Sequence, residues 1–167
     1  EFLTEKNFVK DFFNQKRILI GRETSSKIVE ELYNSYFPQS EIIILKSKEA
    51  EIIKYISNSF LALKVSYANE IYEFCKAKGI KYKNIVNILE KDERLGNSHW
   101  QVPGPDKKRG YGGTCFPKDI SSLINQFEES NIEPKILKAS WNRNTTKDRP
   151  DKDWENLIGR AIIGDIN

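Results

Sequence analysis

The sequence has no methionine, one histidine and two cysteines among its 167 residues. Because it also opens without a strand of its own, we expect it to be a fragment of a longer polypeptide. The two cysteines, Cys75 and Cys115, are too far apart to predict a disulfide framework or a metal-ligand cluster, so no metal and a reducing cytoplasm are expected. The chain lacks both a run of about 18 apolar residues and a signal-peptide pattern, which predicts no membrane association.

A strong charge of either sign is also missing. The 27 basic and 24 acidic residues leave a net charge of +3, which is too small to predict binding to nucleic acid or to an anionic membrane. The 38% of hydrophobic and 31% of charged residues are typical of a globular domain.

The N-terminal block has the pattern of a β–α–β unit. An apolar run at 17–21 ends in glycine and predicts a buried strand. Serine and threonine residues then offer N-caps for a helix over 25–36, which Pro38 ends. A β-branched run at 42–45 predicts a second strand. A two-stranded unit of this kind needs neighbours that cover its sheet, which agrees with the fragment interpretation.

The middle of the chain is predicted to be helical. Residues 48–78 contain no proline or glycine, their apolar residues recur at threes and fours, and Gly79 ends the run. A helix of this length extends roughly 45 Å, more than a small domain covers, so we expect part of it to pack on a second copy. Further predictions are a helix over 83–91, a loop over 95–115, helices over 117–130 and 134–144, and an exposed charged linker over 145–153.

The most informative stretch surrounds Cys115. Three glycines between 110 and 113 allow tight turns and a close approach to a ligand. Pro117 favours the first turn of a helix, so Cys115 is predicted immediately before a helix N-terminus, where the dipole stabilises a thiolate. Lys118 and Asp119 add a base and an acid nearby. The alternative is a small buried cysteine beside an aspartate that only caps the helix.

Residues 110–119 match every position of the pattern G-[FY]-G-G-[ST]-C-[FL]-P-K-D. This stretch resembles the active-site motif of the UDP-glucose/GDP-mannose dehydrogenase family. Residues 1–5 resemble the family's substrate loop, 51–62 the start of its long central helix, and 92–96 its D-x-R-[IL]-G segment. All four segments occur in the family's order.

The resemblance implies a mainly α fold. A helical dimerisation domain built on one long helix is expected over 48–144, and a partial α/β remnant of an NAD-binding domain over 1–47. Residues 145–167 are expected to be a linker or the start of a further domain. The glycine-rich turn G-x-G-x-x-G is absent, so the chain alone is expected to bind NAD poorly.

The resemblance also implies three sets of site residues. The catalytic set is Cys115, Lys54, Asp119, Asn58 and Glu1. The substrate-binding set is Phe2, Leu3, Glu5, Arg94, Tyr111 and Gly112. The cofactor-binding set is Glu5 and Lys118.

The roles follow the family's chemistry. Cys115 is expected to be the nucleophile. Lys54 and Asn58 are four residues apart, so they share one helix face that could stabilise an oxyanion, although an unrelated pair there would usually be a solvated surface. Asp119 is expected to work with the lysine on a proton, and Arg94 to reach the substrate of the partner subunit.

The implied reaction oxidises the C6 alcohol of a nucleotide sugar to a carboxylate and reduces two NAD. The expected substrate is a UDP-sugar, with UDP-glucose preferred, and the expected assembly is a homodimer through the long helix. Three alternatives remain open: a non-catalytic dimerisation module, a GDP-mannose dehydrogenase, and a cysteine hydrolase, which lacks a plausible histidine partner.

Three features outside the matched motifs have simpler interpretations. His99, in the lengthened loop 97–109, is expected to be a loop residue rather than a base. Cys75 is expected in the core. The basic run 107–109 is a candidate contact for a substrate diphosphate.

Overall fold

A small parallel sheet organises the N-terminal part of the chain. The computed structural model describes residues 7–23 and 27–157. Strands β1 (Arg17–Gly21) and β2 (Glu41–Leu45) pair in parallel, with Ile18 opposite Ile42, and helix α2 (Ile28–Tyr36) connects them. The predicted β–α–β unit is therefore confirmed.

A short helix that the sequence pattern did not predict precedes the sheet. Helix α1 (Phe8–Phe13) has six residues, none of them buried. Isolated helices of this length are unstable in water, so local sequence carries little signal for them. Its stability comes from tertiary aromatic contacts, since the Phe12 ring lies edge-on to the Phe37 ring at 5.3 Å between centroids.

The long helix predicted over 48–78 is present as α3 (Ser47–Ala77), which has 31 residues. It continues because no proline or glycine interrupts it. It ends at Gly79, whose φ of +67° requires a residue without a Cβ, and the Ile80 N–H donates to the Cys75 carbonyl at 2.8 Å. The chain forms two compact units, 1–56 and 57–167, and α3 continues from one into the other.

All regular elements in the described part of the second unit are helical. After the α3 segment come α4 (Tyr82–Leu89), α5 (Phe116–Glu129) and α6 (Lys135–Arg143), then a π-helical turn (Asn144–Asp148) and a 3-10 turn (Asp153–Asn156). Two apolar clusters lie along α3: Ala68, Cys75, Tyr82, Val86 and Trp100 form one, and Ala62, Tyr111, Ile120 and Ile124 form the other. Residues 90–115 form neither helix nor strand, which agrees with the predicted loop.

The segment after α6 differs from the exposed linker expected there. Asp148 and Arg149 are buried, and so is Trp154, whose ring packs 6.0 Å from that of Trp141. The charged pattern predicted exposure because charges rarely leave water unless they are paired. Here the charges are paired within the fold, which sequence spacing does not reveal.

The predicted fold class, mainly α with a partial α/β segment, is confirmed. Among the described residues, none of the helices combines the length and the apolarity needed to cross a bilayer. In the same part of the chain, histidine, cysteine and acidic side chains form no group of three or more that could hold a metal ion.

Candidate active site around Cys115

Cys115 lies where the sequence predicts, immediately before the first residue of α5. It occupies the N-cap position with helical backbone angles (φ −98°, ψ −56°), and Pro117 lies in the first turn. Its side chain is exposed, and its sulfur lies 3.6 Å from the Thr114 hydroxyl. The thiol is therefore accessible to a ligand at the N-terminal end of α5.

One turn into α5, Asp119 is fully buried, with 0% of its surface exposed. Its Oδ2 accepts a hydrogen bond from Asn58 Nδ2 at 2.5 Å, and its Oδ1 contacts the Lys118 ammonium. A buried carboxylate needs donors of this kind, because an unpaired charge in the interior is costly. The contact joins two predicted catalytic residues that are 61 positions apart.

Lys54 lies one helical turn before Asn58 on the continuous helix α3, so both side chains project from the same helix face. Lys54 belongs to the first compact unit, whereas Asn58 and Cys115 belong to the second. That one cavity contains Lys54, Asp119 and Cys115 stays a prediction.

The glycine loop before Cys115, residues 110–113, is anchored to the core by the side chain of Tyr111. The Tyr111 ring is buried at 2% exposure beside Ala62, Ile120 and Ile124. Its main chain pairs with the Asn144 side chain, which accepts from the Tyr111 N–H and donates to the Tyr111 carbonyl, both at 2.9 Å. The substrate-binding role of Tyr111 remains a prediction, and its ring has a packing role in the core.

A cluster of charged side chains, here called the charge cluster, fastens the loop to α3 and to the π-helical turn. It consists of Glu73, Arg109, Arg143, Lys147 and Asp148. Arg109 bridges Glu73 at 3.0 Å and Asp148 at 2.8 Å, and Lys147 lies 2.7 Å from Glu73. Hydrogen bonds from Lys147, Arg143 and Arg109 lower the pKa of Glu73 to about 2. Glu73 therefore stays ionised at neutral pH, whereas burial raises the pKa of Asp148.

The basic run 107–109 has internal partners. Arg109 belongs to the charge cluster, and Lys108 lies 2.6 Å from Asp151 and 2.8 Å from Asp153. The structure gives these two side chains ion pairs that close the loop, and a contact of the run with a substrate diphosphate stays a prediction. Sequence reasoning missed the acidic partners because Glu73, on α3, and the 148–153 segment are distant in sequence.

The earlier half of the loop is anchored by Trp100, which is 5% exposed. Its indole N–H donates to the Gly96 carbonyl at 2.9 Å, and the Tyr82 hydroxyl donates to the Trp100 carbonyl at 2.7 Å. The Lys64 ammonium lies 4.6 Å from the ring centroid, within the range of a cation–π contact. These contacts fix the path of the chain before it enters the glycine loop.

His99 is a loop residue, as predicted, and packs 5.4 Å from the ring of Phe116, the residue after Cys115. Burial lowers the pKa of His99, so the neutral imidazole is favoured. Cys75 is buried at 3% exposure in the core, which confirms its predicted position. The two thiols therefore have opposite environments.

The other predicted site residues lie in several places. The Arg94 side chain is 87% exposed and makes a two-point contact with Asp92 at 2.9 and 2.6 Å. The Gly112 main chain lies against the Arg149 guanidinium. Glu1, Phe2, Leu3 and Glu5 lie outside the described residues.

Comparison with known proteins gives this geometry a context. Residues 48–146 match the family model described as "UDP-glucose/GDP-mannose dehydrogenase family, central domain". A UDP-glucose 6-dehydrogenase from Rickettsia bellii is 39% identical over 153 residues, which cover 90% of this chain and 34% of that protein. The chain thus spans about a third of the length of this relative.

Solved structures agree. A UDP-glucose dehydrogenase from Pyrobaculum islandicum superposes with a TM-score of 0.73 at 33% identity, covering 86% of this chain and 32% of that one. A GDP-mannose dehydrogenase from Pseudomonas aeruginosa, solved as a ternary complex, gives a TM-score of 0.52 at 27% identity, covering 95% of this chain and 36% of that one.

A helical unit built on one long helix, with an exposed cysteine one turn from a buried aspartate that is hydrogen-bonded to an asparagine, is the central-domain class of nucleotide-sugar dehydrogenases. The chain belongs to the UDP-glucose/GDP-mannose dehydrogenase family.

Proposed function

We propose that this chain contributes the cysteine-bearing central domain of a UDP-glucose 6-dehydrogenase, which converts UDP-glucose to UDP-glucuronate. The observation that carries the proposal is the exposed Cys115 thiol at the start of α5, one turn from the buried Asp119 carboxylate that Asn58 holds by a hydrogen bond. The named relatives support UDP-glucose as the sugar nucleotide.

The steps at this chain's own atoms are those of covalent catalysis. The C6 alcohol first loses a hydride and a proton and becomes an aldehyde. The Cys115 thiolate then adds to this aldehyde, forming a carbon–sulfur bond and an alkoxide that takes a proton to give a thiohemiacetal. Loss of a hydride and a proton converts this adduct to a thioester. Water then attacks the thioester carbonyl, the carbon–sulfur bond breaks, and the carboxylate and the Cys115 thiol are released.

Asn58 and Asp119 have complementary roles in this scheme. The Asn58 amide orients the Asp119 carboxylate, which accepts the proton of the alcohol or of the attacking water. Lys54, one turn earlier on α3, supplies a positive charge for the developing oxyanion. Glu1 is proposed as the acid–base group for thioester turnover.

When bound, NAD supplies the acceptor for each hydride. The described residues do not fit it by themselves, because Gly21 is the only glycine before Gly79 and no glycine-rich turn follows a strand. No residue of the described part is assigned to the dinucleotide, and the role of Lys118 and Glu5 toward it stays a prediction. We therefore propose that the chain alone is inactive.

Assembly and location are part of the same proposal. Helix α3 exposes a stripe of large apolar side chains at Ile56, Phe60, Tyr67 and Phe74, each more than half exposed. Their spacing of four and seven places them along one side of the helix, which supports homodimerisation through α3. The unpaired cysteines support a cytoplasmic location.

The stripe also favours a second candidate function, a dimerisation module without catalysis. The two candidates differ in what they require of Cys115, because a module that only associates does not need the thiol.

A substrate-protection experiment tests the proposed function. UDP-glucose should slow iodoacetamide labelling of Cys115 while leaving Cys75 unchanged, and UDP-glucose should protect better than GDP-mannose. A chimera in which residues 48–144 replace the matching segment of the Rickettsia bellii relative should oxidise UDP-glucose and lose this activity on Cys115→Ser. An active Cys115→Ser chimera would contradict the proposal and leave the dimerisation module.

A further inference from the structure

The π-helical turn after α6 brings two buried side chains under the glycine loop. Its defining hydrogen bond runs from the Arg149 N–H to the Asn144 carbonyl at 2.8 Å, five residues apart. Asn144 is 0% exposed and Arg149 is 5% exposed. Turns of this type are uncommon and occur frequently at functional sites.

The Asn144 side chain pairs with the loop main chain through two hydrogen bonds, as the main chain of a neighbouring β-strand does. Its side-chain amide satisfies both main-chain groups of Tyr111, each at 2.9 Å. The approach is so close that a Cβ at Gly110 would overlap Asn144 Oδ1, and Gly110 has a φ of +65°. A glycine is therefore required at this position for two independent reasons.

The Arg149 guanidinium packs against the loop main chain at Gly112, the residue after Tyr111. A Cβ at Gly112 would lie 2.6 Å from Arg149 Nε, inside van der Waals contact. The guanidinium is fixed by Asp153 at 2.7 and 2.8 Å and by Asp106 at 2.6 Å. Because these carboxylates engage its Nε and Nη2 groups, the planar guanidinium is held rigidly against the main chain of the loop.

We propose that Asn144 and Arg149 are positioning residues that clamp the Gly110–Gly112 main chain and so hold Cys115 at the N-terminus of α5. A loop with three glycines loses much conformational entropy when ordered, so a defined cysteine position needs contacts of this kind. The consequence for catalysis rests on the proposed function of Cys115, whereas the clamp itself does not.

The test compares Asn144→Ala and Arg149→Ala with two matched controls. Lys138→Gln removes an exposed ion pair between α6 and α5, and Val86→Ala removes buried methyl groups from the other apolar cluster. Amide hydrogen exchange of residues 110–115 reports clamping. The pH profile of Cys115 alkylation, referenced to Cys75 in the same chain, reports the placement of the thiol.

Both clamp variants should speed exchange of the Tyr111 amide roughly tenfold, because the amide loses its acceptor in Asn144→Ala and the loop loses the guanidinium packed against it in Arg149→Ala. Their Cys115 profile should move toward that of a short unstructured peptide. Val86→Ala should lower the melting temperature and move neither reading, and Lys138→Gln should change nothing. If Arg149→Ala does not fold, Arg149→Lys keeps the charge but not the planar guanidinium and should give the same shifts, smaller in size.

Two outcomes overturn the clamp: an unchanged Tyr111 amide and Cys115 profile in folded clamp variants, or an equal shift in Val86→Ala. Failure of the proposed function is a separate result. A Cys115→Ser chimera that keeps its activity would refute the assignment of Cys115 as the nucleophile. The hydrogen-exchange result on the clamp would be unaffected.

Discussion

Replacing Asn58 by aspartate should convert a stabilising contact into a repulsive one. Asn58 Nδ2 donates to Asp119 Oδ2 at 2.5 Å, and Asp119 is fully buried. Asn58→Asp keeps the size of the side chain but places a second carboxylate against the first. Two carboxylates this close cannot both ionise, so the pair must bind a proton that the wild-type pair does not need.

The size of the stability loss is bounded by two costs: the repulsion of two ionised carboxylates, and the protonation of one of them. Two charges roughly 3 Å apart repel by about 5 kcal/mol at an effective dielectric constant of about 20. Binding one proton at pH 7 to a group of ordinary pKa about 3.9 costs about 1.4 kcal/mol for each of about three pH units, or roughly 4 kcal/mol. The smaller cost, that of binding the proton, sets the size of the effect. We therefore expect Asn58→Asp to lower the free energy of unfolding by about 3 to 4 kcal/mol at pH 7.

The sign of the pH dependence is opposite to that of ordinary acid denaturation. The pKa of the variant pair is raised in the folded state, so the loss relative to wild type is largest at neutral pH and disappears as the pH falls toward about 4. Urea unfolding followed by circular dichroism, for both proteins at several pH values, measures this difference. Asn58→Ala is the control: it deletes the donor without adding a charge and should cost about 1 to 3 kcal/mol with a shallower slope. An Asn58→Asp variant as stable as wild type at pH 7 would refute the contact between α3 and α5.

Three further predictions test other parts of the structure. At neutral pH, Cys115 should react with iodoacetamide faster than the buried Cys75, and mass spectrometry showing equal slow labelling would remove the argument for an accessible, activated thiol. Because ion pairs lower the pKa of Glu73 to about 2, the wild-type free energy of unfolding should fall as the pH drops from about 4.5 toward 2, and Glu73→Gln should flatten that decline. Phe60→Glu, on the exposed stripe of α3, should shift sedimentation toward monomer, whereas Ile136→Glu, on exposed α6, should not; a monomeric wild type at tens of micromolar would contradict the dimer.

Sequence alone determined the parts of this protein that depend on short-range spacing. The stretch without proline or glycine, ended by Gly79, predicted α3 to within a residue at each end, and short continuous apolar runs located both strands. Pro117 after a glycine loop placed Cys115 at a helix start. These signals are local, because backbone geometry, capping and periodicity act over a few residues.

Only the tertiary structure decided which distant side chains meet. Nothing in the spacing of Asn58 and Asp119 shows that they share a hydrogen bond, and the basic run ending at Arg109 gave no sign that its partners include Glu73. The segment after α6 read as an exposed linker until the fold paired its charges. Burial of a charged or amide group is stable only when complementary groups arrive from other elements, and that arrangement is a property of packing, not of local sequence.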